Sequence, residues 1–405
     1  MNTEPVTLTR ILKVSPHEEK TLRRLEFDPG LNTERIDISY RFTPGNVVDM
    51  GLMINDRING WSGGARKTIT LSENFASPGY QRTSIVNGKW HVLLGLHKIR
   101  RLCEVVVEIT LYPKFPRWLK GDTHVHSVHS DGSLTVNELI ARARQMEFDF
   151  LCFSDHNTIS QNHEIAGINA SLCLIPGMEL TSERGHANLL GVTRPVVNFL
   201  PHFTEDDIAG RIAEARRNGA RIGINHPFCH YCPWQNRFAD HDWLEIWNGP
   251  WDGQTGNEDA FNYWHHQLCQ GEKISAVAGS DFHKEKGLRW PYMWVRAISR
   301  ERQDILSALV AGRSYMQSDD QTQLHRFCIG EAGPGDTTSG GILHVKLRTH
   351  KDNSVLLYTD NTVIVVPNRY GDVNQEIDVQ DAAFALLRIN RGPVAQLLTN
   401  PIYRG

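Results

Sequence analysis

The chain has 405 residues, 40% hydrophobic and 22% charged, with 43 Lys and Arg against 46 Asp and Glu and a net charge of −3. That length suits two or three globular domains, and the near-neutral balance excludes the basic footprint expected of a duplex nucleic-acid or anionic-membrane binder. Seven Cys are too few and too odd in number for a disulfide framework, and no apolar run nears the ~18 residues of a membrane span. The start MNTEPVTLTRILKV lacks a basic n-region and long apolar stretch, so the protein is expected to be cytoplasmic.

Residues 1–117 read as β-structure. The runs 36–42, 47–54, 67–71 and 104–112 are short and apolar or alternating, separated by Gly, Asn and Pro turns, which predicts a sandwich-like N-terminal domain. Residues 118–318 alternate between strand and helix. A capping box of Thr135 and Glu138 opens a helix, and further helices are predicted near 160–168, 204–218, 257–270 and 301–312. Strands are predicted at 149–154, 172–175, 187–192, 221–225, 243–247 and 274–278. About seven strands, most followed by a helix, predict an α/β fold with a closed or distorted (β/α)7 barrel. Residues 319–405 return to β-rich sequence, and alternation alone does not say whether the two flanks form separate modules or halves of one.

Thirteen of the 19 His lie between residues 118 and 290. His124 and His126 end the first strand of that region, and Asp155 with His156 ends the second. Glu179 follows the third, His186 precedes the next, His226 closes 221–225, and Asp281 with His283 follows 274–278. In β/α barrels catalytic side chains come from the C-terminal ends of several strands, so these groups are expected to converge on one face. His-x-His and Asp-x-His on extended chain put both side chains on one side. So many imidazoles and carboxylates exceed the needs of one tetrahedral ion. Without thiolate they suit two or three divalent ions among Zn²⁺, Mn²⁺ and Fe²⁺.

The segments GDTHVHSVHSDG, FSDHNT, GMELTS, INHP and AGSDFH resemble the successive motifs of the PHP (polymerase and histidinol phosphatase) metallohydrolase superfamily over residues 118–310. GWSGGARKTITLS, NGKWHVLLGL and TNPIY resemble flanking segments of its CehA/McbA (carbaryl-hydrolase-like) branch. The resemblance implies a PHP barrel in which His124, His126, Glu179 and Asp281 hold one ion. Glu179 bridges to a second with His226 and His186, and Asp131, His156 and His283 hold a third. It also implies that Asp155 orients a ligand imidazole.

Such a centre activates water, and a hydroxide bridging the ions near Glu179 is the expected nucleophile. Three carboxylates and six neutral imidazoles around three divalent ions leave positive charge, which favours a small anionic substrate and hydrolysis of a phosphate mono- or diester. Two alternatives stand beside this. One is a carbamate, carboxylic ester or amide hydrolase of the carbaryl-hydrolase type, with aromatics of residues 231–264, Trp234 and Trp251 among them, walling a pocket. The other is a binding or assembly protein with an incidental metal site. Arg184, His230, Lys284 and Asn248 are candidates for substrate contact, as are His202 and Asn157. Cys229 and Cys232 resemble half a zinc knuckle, with no second half in the chain.

Overall fold

The computed structural model describes residues 3–192, 194, 196, 204–238, 240–284 and 291–405. The chain divides into two compact units. One comprises Met1–Pro116 with Asn169–Ser171 and Ile298–Glu301, and the other comprises Arg117–Ile168, Leu172–Ala297 and Arg302–Gly405.

The first unit is a pair of four-stranded antiparallel sheets. In order across the sheet, one runs Val6–Val14, Cys103–Pro113, Thr33–Phe42, Thr68–Ser72 and the other Leu22–Phe27, Trp90–Lys98, Val47–Ile54, Arg57–Gly63. Side chains alternate across a strand, so Ile36, Ile38 and Tyr40 are buried while Asp37 and Ser39 between them stay partly exposed. They share one core with Val92, Leu94, Val105 and Val107.

The second unit holds the alternating segment. Its helices are Val136–Gln145, Ser160–Ala166, Glu205–Arg217, Asn257–Cys269 and Arg302–Val310 among the described residues. The expected capping box forms: Thr135 Oγ1 accepts from Glu138 N at 3.3 Å, and Glu138 Oε2 accepts from Thr135 N at 2.8 Å. Thr204 and Asp207 form another. One five-stranded sheet runs Gly177–Ser182, Gly185–Leu190, Arg221–Ile224, Trp243–Asn248, Ser275–Gly279. A larger sheet begins Cys173–Ile175, Phe150–Phe153, Arg117–Val125, Tyr292–Ala297, Ser314–Gln317. Strands Phe150–Phe153 and Ser275–Gly279 are buried along their whole length, as expected of strands covered on both faces.

The regular (β/α)7 barrel predicted from the sequence needs correction in three respects. Seven strands form a ring, but two lone parallel bridges close it, His156 to Glu179 and Val125 to Phe282. Strand Gly185–Leu190 runs antiparallel to both neighbours. It returns directly from Ser182 through a two-residue turn, which Gly185 permits with φ of 107°. Strands Arg221–Ile224 and Trp243–Asn248 are joined by a long loop without a helix among its described residues. Alternation marks a strand but carries neither its direction nor its crossover.

The C-terminal strands continue the larger sheet. Val394–Thr399 pairs with Ser314–Gln317, and Phe384–Arg391, Ser354–Thr359 and Val363–Val366 follow outward. A three-stranded sheet of Gln323–Ile329, Ile342–Arg348 and Asp372–Asp378 packs on them through Leu343, Val345, Leu387 and Leu397. No helix among the described residues is long and apolar enough to cross a membrane.

Asn400 is fully buried where these strands meet the ring. Its Oδ1 accepts from Ala276 N, and its Nδ2 donates to Ala276 O, both at 2.8 Å, and to Ser314 Oγ at 2.9 Å. Replacing it with Ala strands the buried amide N–H of Ala276. Asn400→Ala is expected to cost about 2–3 kcal/mol in urea unfolding, and a loss below ~0.5 kcal/mol would show that the tie is dispensable.

Candidate metal centre

The strand ends place the site. His124 lies on Arg117–Val125 and His126 just beyond it, while His156 follows Phe150–Phe153 and bridges to Glu179 on the next strand. His186 stands on the antiparallel strand opposite Thr181. His226 and Asp281 follow Arg221–Ile224 and Ser275–Gly279 with φ of 28° and 49°. That left-handed region is costly for residues with a Cβ, and such outliers concentrate at functional sites.

All nine residues expected to bind metal are brought together. Glu179 is fully buried and ringed by imidazoles: His156 at 2.8 Å, His186 at 3.2 Å, His226 at 3.4 Å, and His124 and His126 at 3.5 Å. Asp281 Oδ1 lies 3.2 Å from His124 Nε2 and 3.0 Å from His126 Nε2. Asp131 Oδ1 lies 3.3 Å from His283 Nε2, 3.6 Å from His156 Nε2 and 4.0 Å from His126 Nδ1. Their ligating atoms fall into overlapping groups within 4.8 Å: His124, His126, Asp281; His156, Glu179, His186; and His126, Asp131, His156, His283.

The donor chemistry fits divalent cations. His124 Nδ1 sits 2.9 Å from Glu245 Oε1, which only accepts, so this nitrogen carries a proton and Nε2 is left facing inward, where it can ligate once the ring is neutral. There it meets His126 Nε2 at 3.1 Å, together with the carboxylates of Asp281 and Glu179. Among the described residues His126 Nδ1 and Glu179 Oε2 are buried without a well-aligned hydrogen bond, His156 Nδ1 lying 2.8 Å from the latter. Converging lone pairs and carboxylate oxygens are stable only with positive charge among them. Burial opposes a charged His124, yet Glu245, Asp281 and Glu179 hold its pKa well above the ordinary histidine value. Burial likewise opposes charge on His226, which Cys232 and Glu179 raise well above that value. Burial alone would lift the Glu179 carboxyl, but His124 and His186 hold it well below the usual range.

Several supporting residues were missed from sequence. Glu245, 2% exposed, fixes the His124 ring and accepts from His226 N and Asn248 Nδ2, both at 3.1 Å. Asn225 Nδ2 donates to Glu179 Oε1 at 2.7 Å, and Cys232, already noted in the sequence beside Cys229, places Sγ 3.5 Å from His226 Nδ1 and groups with His186 and His226. A polar residue inside an otherwise apolar strand, as in WLEIW, is the signal that would have found Glu245.

Other expectations are corrected. Among the described residues Asp155 makes no hydrogen bond to an imidazole. Its Oδ1 accepts from Ser127 N, Ser127 Oγ and Ser130 Oγ at 2.8–3.0 Å, fixing the turn that leads to Asp131. Arg184 is committed to Asn236 Oδ1 at 2.8 Å and Gln235 O at 2.6 Å. Trp234 is buried in the core, and Asn248 is held by Glu245 and Asn257. His230 and Lys284 are exposed, and no contact joins either side chain to the cluster among the described residues. Asn157 pairs with the Thr181 backbone. His202 lies outside the described residues.

Two predictions follow from this geometry. A Cβ on Gly279 would stand 2.3 Å from His124 Cβ and 2.4 Å from Glu245 Oε1, so Gly279→Ala must displace one of them. It is expected to weaken metal affinity at least about tenfold by calorimetry while the circular dichroism spectrum is kept; unchanged affinity would contradict the role given to this pair. Folded-state pKa values of His124 and His226 lie above their unfolded value of 6.5. Their contribution to metal-free stability is therefore complete below pH 6.5 and lost as pH rises through the raised values. Metal-free Tm should fall from pH 6 to 9 while the Tm increment on adding Zn²⁺ grows, since ligating imidazoles must be neutral. A metal increment independent of pH would refute this.

Residues 122–215 match the family model described as PHP domain. The chain is 33% identical over 119 residues to the 5'-3' exoribonuclease Rnm of Escherichia coli, covering 25% of this chain and 41% of the relative. It is 32% identical over 113 residues to the Rnm of Salmonella typhimurium, covering 25% and 39%. It thus spans about two fifths of the length of these curated relatives. Among solved structures, a two-domain protein from Bacteroides vulgatus described as containing a predicted PHP-like metal-dependent phosphoesterase superposes with a TM-score of 0.41 at 16% identity, over 72% of this chain and 97% of that one. An amidohydrolase from Chromobacterium violaceum gives 0.32 at 17% identity, over 41% and 88%. The matched stretch contains the strand ends that carry His124, His126, Asp131, His156, Glu179 and His186, and it supports placing this segment in the PHP superfamily.

Proposed function

We propose that this protein is a metal-dependent phosphoesterase acting on a small anionic ester. In this reading His124, His126, Glu179 and Asp281 hold one ion, Glu179 with His186 and His226 a second, and Asp131, His156 and His283 a third. The observation that carries it is His124 Nε2 turned inward, its ring fixed at Nδ1 by Glu245 and set against His126 Nε2, Asp281 and Glu179. Divalent ions so held lower the pKa of bound water and stabilise charge on the group attacked. Glu179 unites the set, because its two oxygens face five imidazoles. Glu245 keeps His124 in the tautomer that ligates, and Asp155 holds the turn that positions Asp131.

Charge links ion number to substrate. The inner carboxylates are Asp131, Glu179, Asp281 and Glu245. Three divalent ions leave the site net positive, which draws a phosphate, whereas two would leave it neutral and suited to a carbamate or ester carbonyl. Six imidazoles and Asp131 provide donors for three. The partial similarity to 5'-3' exoribonucleases adds support for phosphate ester chemistry, a nucleotide or short single strand being compatible with the absence of a basic run.

The test is turnover by protein reconstituted with Mn²⁺ or Zn²⁺ on a phosphate monoester, a phosphate diester and a naphthyl carbamate, with a chelated control. Chelator-sensitive phosphate ester hydrolysis is expected, reduced at least about 100-fold in His124→Ala and Asp281→Ala with the fold retained. Carbamate cleavage alone would favour the carbaryl-hydrolase-type reading. Metal binding without turnover of any substrate would favour a binding protein.

A further inference from the structure

We propose that a cavity between the loop Gly249–Trp251 and residues Val394–Gln396 is the substrate selectivity pocket, and that it takes an uncharged planar aromatic ring. This rests on the phosphoesterase reading, in which the ions hold the phosphate of the same ester. The cavity measures about 330 Å³, near the lower bound for small-molecule pockets, and its apolar wall comprises Trp247, Pro250, Trp251, Val394 and Ala395.

Topology puts this cavity at the metal-binding end of the strands. Arg117–Val125 and Ser314–Gln317 are both antiparallel to Tyr292–Ala297, so they run parallel to each other. Met293 is level with Gly121 on one side and Met316 on the other. His124 lies three residues beyond that level on its strand and Asp319 just past the end of Ser314–Gln317, so both are at the same end of the sheet. Gln317 pairs with Leu397 on an antiparallel strand, which brings 394–396 to the same end. On the other side, the loop leaves the strand that carries Glu245. Gly249 N donates to Gly279 O at 3.0 Å, two residues before Asp281.

Wall chemistry selects the neutral part of the ester. Among the described residues no Lys or Arg lines the cavity. Nearby Arg388 lies 5.0 Å from the Trp251 ring centroid, but Glu258 takes its guanidinium through bonds of 2.9 and 2.6 Å, so it braces the ring and is not free for an anion. Asp319 is the one charged lining residue among those described, and its carboxylate already accepts from Gln321 N, Thr322 N and Thr322 Oγ1. A phosphate would meet carboxylate and apolar surface there. A flat ring instead gains the half-buried face of Trp251, set at 89° to Trp247 with centroids 5.1 Å apart. The buried Trp247 indole N–H has no hydrogen-bond partner among the described residues and so offers a donor beside the ring, while Ser318 Oγ and Gln396 Nε2 are spent on Ala395 O.

Two variants test the pocket from opposite directions: Trp251→Ala removes the ring surface, and Val394→Phe fills the space from a position 36% exposed. Adenosine monophosphate, phenyl phosphate and glycerol phosphate are compared as kcat/KM on the metal-loaded protein. Saturation-transfer NMR then reads binding of adenosine and phenol to metal-free protein. The preference for a ring-bearing ester over glycerol phosphate is expected to fall at least about tenfold in both variants, with loss of transfer to the ring protons. An effect confined to the adenosine arm identifies a nucleobase, and one confined to the phenyl arm an aryl group; either supports the pocket. An unchanged preference in both variants, or no transfer to either ring in the wild type, overturns it. Ring binding that both variants abolish, without ester turnover by the wild type, keeps the pocket and rejects the phosphoesterase reading.

Discussion

A buried carboxylate facing five imidazoles is the constraint to which the second unit is built. Glu179 has no access to water, and its neighbours present nitrogens to one another as much as to it. Such a cluster is unstable as a set of neutral groups and needs cationic charge, from protons or from metal ions. The surrounding backbone carries further cost. His226 and Asp281 both take left-handed conformations at strand ends, about 1–3 kcal/mol each. Offsetting that are strands whose every side chain is buried, such as Phe150–Phe153 and Ser275–Gly279, which fix the positions from which the ligands project.

Precision comes from the residues behind the cluster. Glu245 ties the His124 ring, the His226 backbone and Asn248 to one carboxylate. It fits only because Gly279 on the adjacent strand has no Cβ to occupy that space. On the opposite flank Asp155 gathers Ser127 and Ser130 and so shapes the turn before Asp131. The two acids act alike: each spends its hydrogen bonds on groups that position a ligand.

The convergence of the candidate ligands was legible because each follows a short apolar run that marks its strand, and because His-x-His and Asp-x-His place two donors on one side. Glu245 was not read, although it is the lone acid inside the apolar run WLEIW, because its weight depends on both faces of that strand being covered, which only the fold shows. Arg184, Trp234 and His230 lie close to ligands in sequence but in turns that lead away, so nearness along the chain misled. The reversed strand Gly185–Leu190 escaped for a related reason: ANLLGV shows the period of a strand, while the turn of Glu183 and Arg184 that reverses it looks like any polar link. Likewise, alternation in 394–399 gives no sign that its partner is Ser314–Gln317 and not another C-terminal strand.

That last pairing joins two functions in one frame. All nine candidate ligands come from residues 124–283, whereas the wall beside them draws on residues 318–319 and 394–396 as well as on the loop after Asn248. Because one continuous sheet carries Arg117–Val125 and Val394–Thr399, the spacing between the ligands and that wall is set by backbone hydrogen bonds and not by a mobile linker. On the reading proposed above, the electrostatic contrast would sort a bipolar molecule, its anion favoured at the ions and its neutral ring at a wall without Lys or Arg among the described residues. An orientation reached this way is fixed before any chemistry occurs, which is the condition under which binding energy at a remote group contributes to rate at the reacting one.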